Sequence, residues 1–227
     1  MDIQEWAEDL VTEVYEKWEA SEDQYTFSEC GFRVFYSPVF PNPDLMIIGY
    51  NPNSDDKPFH REEDSLLPEF HEYIYHKSKI ARKMKYLFEG IERHDWLENS
   101  VKLNLLFFKS ENDAQWETMN KDLRSDLEMF CFQKVNDIID TLTPRYIITE
   151  GLKVFDMLTT SVLMGCMKPE VKFGYTGRKI YARSSYGHTQ IIGLVHLTKD
   201  RISYPEWNSV KDYLKADLKD KEHMYLH

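Results

Sequence analysis

Four short apolar runs, separated by longer stretches with helical periodicity, restrict the folds that are open to this chain. The runs are PDLMIIGY, VKLNLLFF, RYIITEG and QIIGLVH, and they begin at residues 43, 101, 145 and 190. Continuous apolar runs of this length are typical of strands buried on both faces. Because such strands alternate with amphipathic helices here, the pattern predicts an α/β fold. We expect three α/β/α layers around a central, mostly parallel four-stranded sheet.

The intervals between the apolar runs carry signals for further elements. Apolar residues recur at helical spacing in three stretches, and a fourth, long helix is expected to stop before Pro144. The three predicted helices cover residues 3–20, 68–90 and roughly 204–219, with Phe70, Ile74, Met84, Leu87 and Phe88 as inward-facing candidates in the second. Residues 31–40 have the composition of a strand until prolines interrupt it, and residues 171–185 predict a hairpin around Thr176-Gly177.

Length and composition favour one domain and a reducing compartment. A chain of 227 residues fits a single α/β domain over residues 1–227, with the acidic helix within residues 1–25 as an addition to it. Apolar runs stay far below the roughly 20 residues that span a bilayer, so no membrane partner is expected. The three widely spaced cysteines argue against a disulfide framework and against a metal or iron–sulfur cofactor. We therefore expect a cytoplasmic monomer without cofactor or metal.

The net charge alone would disfavour a nucleic-acid partner, but the distribution of charge along the chain is compatible with one. The net charge is −11, but residues 1–30 hold ten acidic side chains against one lysine. Residues 168–201 hold seven basic side chains against two acidic ones, and the stretch HKSKIARKMK at 76–85 is also basic. The remainder of the molecule can thus present a positive face. The alternative for each basic cluster is an ordinary solvated helix surface.

Polar residues follow the predicted strands where a site would be expected. In open parallel sheets, ligands bind beyond the carboxyl ends of the strands. The first strand delivers Asn51 to that edge, the second carries Asn104, and the last delivers His196. Two amides and an imidazole are therefore predicted to converge at one edge of the sheet.

These motifs resemble those of the uracil-DNA glycosylase superfamily. Its first motif, Gly-x-(Asp/Asn/Glu/Ala)-Pro after an apolar strand, matches Gly49-Tyr50-Asn51-Pro52-Asn53, and its last motif matches His196-Leu197-Thr198-Lys199. Asn104 matches the base-reading asparagine that many members carry between the two motifs. The resemblance covers roughly residues 30–215. Leu197 and Asn53 depart from it, because members usually have proline after the histidine and tyrosine, glycine or alanine after the first-motif proline.

The resemblance implies excision of a flipped pyrimidine from DNA, with water attacking the sugar to leave an abasic site. His196 would donate a hydrogen bond to the pyrimidine O2, and the amide of Asn104 would read the base, matching uracil or cytosine. Asn51 stands where some members have aspartate, and an amide can only orient the water. Asp55 or Asp56 would supply the missing carboxylate, unless both are simply loop residues in water.

The resemblance also implies base and DNA contacts. Phe59 would stack on the flipped base, with a place in the core as the alternative reading. Asn53 is smaller than the tyrosine of uracil-specific members, so the pocket would accept a C5 substituent such as that of hypermodified phage cytosine, and Tyr50 would help to bind a sugar-like appendage. A role in phage defence would follow. The residues expected to contact DNA are Thr198, Lys199, Arg201, Lys172 and Arg178.

Two rival interpretations are an inactive module on the same fold and another α/β hydrolase or nucleotide-binding enzyme. The same fold could carry an inactive site and serve as a DNA-binding or partner-binding module, which Asn51 in place of aspartate and the net acidity would favour. A metal site built from His60, His71 and His76 is conceivable, but their spacing matches no common metal motif. Motifs of other hydrolases and nucleotide-binding enzymes are missing from the chain.

Overall fold

A six-stranded mixed sheet organises the protein in a computed structural model, which describes residues 1–52, 59, 67–198 and 202–218. The strands are β1 Leu45–Gly49, β2 Ser100–Asn104, β3 Tyr146–Glu150, β4 Glu170–Phe173, β5 Lys179–Tyr186 and β6 Thr189–Leu194. Their order is β2-β1-β3-β6-β5-β4. The first four in that order are mutually parallel, whereas β5 and β4 are antiparallel to their neighbours.

The α/β class predicted from the sequence is confirmed, but the prediction of four strands is wrong. The predicted hairpin is present as β4 and β5, and it extends the sheet because β5 pairs with β6 from Tyr181–Leu194 to Tyr186–Thr189. Antiparallel pairing also brings the hairpin turn, residues 174–178, to the edge where the parallel strands end. This edge, at the carboxyl ends of β2, β1, β3 and β6, is called the carboxyl edge below.

The helices cover both faces of the sheet. In chain order they are α1 Ile3–Glu19, α2 Glu72–Tyr75, α3 Lys79–Gly90, α4 His94–Glu98, α5 Asp113–Glu117, α6 Lys121–Leu142, α7 Leu152–Met157 and α8 Tyr204–Asp217. A π-helical turn, Leu158–Val162, continues α7. On one face, α1, α6 and α7 bury their apolar sides with Met46 and Ile48 of β1. On the other, α2, α3, α4 and α8 pack with Leu45 and Ile47, so alternate residues of β1 serve the two faces.

The acidic helix α1 is part of the core rather than a detached extension. Its buried residues Leu10, Val14 and Trp18 belong to the same apolar cluster as Met46 of β1 and Leu103 of β2. The acidic side chains of the helix lie on its opposite, solvent-facing side, as amphipathic packing requires.

Two other predicted elements differ in the structure. The single helix predicted over residues 68–90 is divided into α2 and α3, because Ser78 caps α3 by accepting a hydrogen bond from the backbone N–H of Ala81. Phe70, expected to face inward, is 60% exposed, whereas Met84, Leu87 and Phe88 are buried as expected. The stretch 31–40 makes isolated bridges only, from Phe32 and Phe35 to the β2 side of the sheet.

Across the residues that the structure describes, helices lack the combination of length and apolar character that would let one cross a bilayer.

Candidate functional site

Gly49, the last residue of β1, lies between two polar side chains at the carboxyl edge. A Cβ added to Gly49 would come within 2.1 Å of Asn104 Oδ1 and 2.8 Å of Glu150 Oε2. Asn104 ends β2 and pairs in register with Gly49, and Glu150 ends β3 on the other side of β1. The missing side chain of Gly49 therefore lets an amide and a carboxyl group approach each other across the end of the central strand.

One face of β2 is polar although it is buried. Ser100, Lys102 and Asn104 alternate with apolar residues along the strand, and all three are at most 5% exposed. The ammonium of Lys102 lies 3.6 Å from the carboxylate of Glu72 and 4.1 Å from the centre of the Tyr36 ring. A buried cation is tolerated where a counter-ion and aromatic faces compensate for lost hydration. Helix α2, which carries Glu72, thus covers this polar face.

Tyr73 of α2 links the same helix to Glu150. Its hydroxyl donates a hydrogen bond to Glu150 Oε1, which leaves Oε2 on the side of Gly49 and Asn104. Burial raises the pKa of the Glu150 carboxyl, while Lys102 and the bond from Tyr73 act in the opposite direction. Burial also raises the pKa of Tyr73 well above its usual range, so its hydroxyl remains a donor at physiological pH.

His196 lies just after β6, beside the residue that follows Glu150. Its Cδ2 would be 3.4 Å from a Cβ on Gly151, whose φ of +117° favours glycine. The backbone N–H of Thr198 donates to His196 Nδ1 at 3.3 Å. Because Nδ1 accepts in this contact, the proton of the neutral imidazole belongs on Nε2. Leu197 is buried in the core below.

Asn51 is held by the segment that follows β2. Its Nδ2 donates to the carbonyl of Phe108 at 3.2 Å, and the Ser110 hydroxyl donates to its Oδ1 at 3.1 Å. Tyr50 meets the first turn of α7, where the ammonium of Lys153 lies 3.9 Å from the centre of its ring. The structure therefore places Asn104, Glu150 and His196 at or just after the ends of β2, β3 and β6 on the carboxyl edge, with Gly49 of β1 between the first two. Asn51 follows β1 at the same edge.

Phe59, predicted to stack on a flipped base, packs on aromatic side chains of the protein. Its ring centre is 4.9 Å from that of Trp18 and 5.2 Å from that of Phe32. The ring also occupies the space above Gly31, where a Cβ would come within 2.3 Å of it. This is the arrangement expected of the alternative reading, a core residue.

The hairpin cations predicted to bind DNA are paired with carboxylates of the protein. Lys172 lies 2.5 Å from Glu170, and Arg178 lies 3.6 Å from the buried Glu206. The pKa of Glu206 is lowered to about 2, chiefly by hydrogen bonds from the backbone of Ser203 and from the side chain of Thr176. A phosphate that bound Lys172 or Arg178 would have to compete with these carboxylates. Thr198, predicted as a DNA contact, is half-buried next to His196.

His71, weighed above as a metal ligand, holds the start of α2. Its Nδ1 accepts the backbone N–H of Tyr73 at 3.1 Å, and its Nε2 lies 2.8 Å from the hydroxyl of Ser100. Both ring nitrogens are thus used in structural hydrogen bonds. Burial and then Lys102 lower the pKa of His71 to about 4.

Several predicted site residues lie outside the described part of the chain. They are Asn53, Asp55, Asp56, Lys199 and Arg201, together with His60. Their assigned roles stay predictions.

Glu150 and Tyr73 are the site residues that sequence reasoning missed. Glu150 ends an apolar run, YIITE, so the rule that selected Asn51 and His196 at strand ends would also have selected it. Tyr73 carries no comparable signal, since its position against Glu150 depends on how α2 docks.

No protein-family model and no curated protein matches this chain.

Proposed function

We propose that the protein is a DNA N-glycosylase that hydrolyses the bond between deoxyribose and a flipped pyrimidine, leaving an abasic site. The observation that carries the proposal is that the polar side chains of Asn104, Glu150 and His196 lie along the carboxyl edge, which Asn51 also borders. An amide that can read a base and an imidazole that can donate to it are the groups this reaction needs.

His196 supplies the hydrogen bond that stabilises the departing base. As the glycosidic bond breaks, its electron pair moves to the base and negative charge develops on the pyrimidine O2. With Nδ1 accepting from Thr198, Nε2–H is the donor that His196 offers. Water then bonds to the sugar C1′ and loses one proton to solvent as the abasic sugar forms, and the departed base anion takes up a proton from solvent. A neutral imidazole is sufficient for this role.

Glu150 supplies the carboxyl group that position 51 lacks. An ionised carboxylate favours the cationic sugar of the transition state, whereas the amide of Asn51 cannot. Because burial raises the pKa of Glu150, excision by the wild-type protein is expected to fall as the pH falls through that raised pKa. Glu150→Gln should be slow at every pH, and a wild-type pH profile in that variant would argue against this role.

The substrate is a pyrimidine with or without a C5 substituent, including the modified cytosines of phage DNA. Duplexes containing uracil, thymine, cytosine, hydroxymethylcytosine or glucosylated hydroxymethylcytosine would be incubated with the protein and assayed for abasic sites. Cleavage of uracil alone would rule out an open C5 side. His196→Ala should abolish the reaction, and His188→Ala, an exposed histidine in the turn between β5 and β6, is the matched control.

An inactive DNA-binding or partner-binding module is the second candidate, and the bonding of Asn51 favours it. Both polar groups of that side chain already have partners in Phe108 and Ser110, as expected of a structural asparagine. DNA binding without abasic sites on any of the five substrates would support this candidate over the enzyme.

A further inference from the structure

A pocket of about 560 Å³ lies between the N-terminal half of α3 and the first turn of α8. Its volume falls within the range of about 300–1,000 Å³ that is usual for ligand sites. The side chains that matter here are Lys79, Arg82, Lys83 and Tyr86 of α3, and Tyr204 and Trp207 of α8. The four from α3 recur at spacings of three and four residues, which places them on one face of the helix.

Three cations of this pocket have no counter-ion in the part of the chain that the structure describes. In the described ranges, no carboxylate lies within salt-bridge distance of Lys79, Arg82 or Lys83. Lys172, Arg178 and Arg183 of the β4–β5 hairpin, by contrast, are paired with carboxylates. Like charges one helical turn apart, as at Lys79 and Lys83, repel each other. A chain with a net charge of −11 thus retains a local site that an anion would stabilise.

Aromatic rings border the cations and remain open to solvent. Tyr204 is 72% exposed and Tyr86 is 53% exposed. Tyr86 stacks on the buried Trp207, with ring centres 6.1 Å apart and planes inclined by 17°. The ammonium of Lys83 lies 5.3 Å from the centre of the Trp207 ring. The α3 side of the pocket is therefore packed against Trp207, while the ring of Tyr204 is exposed to solvent.

The pocket continues towards the carboxyl edge. A second pocket, lined by Thr176 and Arg178 of the hairpin turn and by Glu206, shares Ile202 and Ser203 with the first. Together they form one groove from the α3 cations to the hairpin turn. Because that turn lies beside the end of β6, the groove leads to the same edge as His196.

We propose that this groove binds a segment of single-stranded DNA, with phosphates on Lys79, Arg82 and Lys83 and a base stacked on Tyr204. Cations alone would suit any polyanion, including duplex DNA. An exposed ring can stack only on a base whose face is open, and the bases of a duplex are covered by their neighbours. The combination of these cations and the exposed rings favours nucleotides that are not base-paired. The groove binds them whether or not the protein excises a base.

Fluorescence anisotropy with a labelled oligothymidylate of about 12 nucleotides tests the cations. The full-length protein with His196→Ala serves as the starting point, so that excision cannot change the probe. Three lost phosphate contacts should reduce the slope of log affinity against log salt by about 2, since each contributes about 0.7 on a single strand. That reduction is expected for Lys79→Gln/Arg82→Gln/Lys83→Gln. The control Lys121→Gln/Lys168→Gln/Lys215→Gln removes the same charge outside the groove and should keep the slope.

Tyr204 tests whether a base stacks in the groove. Tyr204→Ala should weaken binding of the oligonucleotide by about 5- to 160-fold, the range that corresponds to one lost stacking contact. Tyr204→Phe keeps the ring and should bind like its parent. The proposal would be overturned if both triple variants reduced the salt slope equally, or if Tyr204→Ala bound the oligonucleotide as tightly as its parent. Tighter binding of a duplex of the same length would also overturn it. Binding is measured separately from abasic-site formation, so failure of the glycosylase proposal would leave this result interpretable.

Discussion

His71 should make the protein lose stability as the pH falls below neutrality, and His71→Asn should remove much of that loss. In the folded protein the ring is buried and neutral, with Nδ1 accepting the N–H of Tyr73 and Nε2 facing Ser100. Protonation of Nδ1 would break the bond that caps α2 and would place a cation near Lys102. Asparagine keeps an acceptor at the cap but takes up no proton.

The size of the effect follows from the two pKa values. The folded pKa of His71 is about 4, whereas an unperturbed histidine has a pKa of about 6.5. Because the folded value is lower, the unfolded chain binds protons first, so stability is complete above the unfolded pKa and decreases towards pH 4. At pH 5 nearly all of the unfolded chains carry this proton, against about a tenth of the folded ones. Linkage then gives a loss of about 2 kcal/mol between pH 8 and pH 5.

Urea unfolding at pH 8 and pH 5 measures this loss in both proteins. The variant will have a different stability at pH 8, because it loses the contact with Ser100, so the quantity compared is the change with pH. Other titrating groups contribute equally to both proteins and cancel in the comparison. We expect the wild-type protein to lose about 2 kcal/mol more than His71→Asn over this interval. Equal losses would refute the conclusion that His71 stays neutral in the fold.

Three further predictions concern single positions. Gly49→Ala should reduce the rate of abasic-site formation by about 100-fold, because its Cβ would displace Asn104 and the carboxyl group of Glu150. Gly90→Ala is the control, because its Cβ would meet only a lysine side chain. Equal rates in the two variants would contradict this prediction. Ser203→Ala should lower the unfolding free energy by about 1 kcal/mol in urea titrations, because it removes the capping box of α8, and an unchanged midpoint would speak against that cap. The thiol of Cys131, whose pKa burial raises to about 12, should escape alkylation in the native protein and react after unfolding, as peptide mass spectrometry would reveal; rapid native labelling would disprove its burial.

The parallel part of the sheet could be predicted because its strands are buried on both faces. Continuous apolar runs identify β1, β3 and β6. Because such strands are expected to be parallel, their carboxyl ends are predicted to lie at one edge of the sheet. The pairing of β5 with β6 could not be predicted, since a hairpin's next neighbour depends on tertiary packing and not on its turn sequence. The break between α2 and α3 had a local signal in Ser78, a good N-cap, but apolar periodicity on both sides concealed it.

The site was only partly predictable for a related reason. Asn104 and His196 could be selected as candidates because polar residues at strand ends stand out against apolar runs, and Glu150 has the same signal. The buried position of Lys102 could not be read from the sequence, because a lysine in a strand is normally exposed and its counter-ion comes from α2. Arg178 appeared available for DNA in the sequence, but its partner Glu206 is distant in the chain and adjacent only in the fold.

Because α1 and α3 lie on opposite faces of the sheet, the charge on the surface of the molecule is distributed asymmetrically. The solvent-facing side of α1 is strongly acidic. The cations of α3 that have no carboxylate partner among the described residues lie over the opposite face of the sheet. A polyanion that approached from the α1 side would be repelled, while one approaching α3 would be attracted within about 10 Å at moderate salt. Encounters with any such ligand would therefore be oriented before contact, and raising the ionic strength would remove that bias along with the attraction.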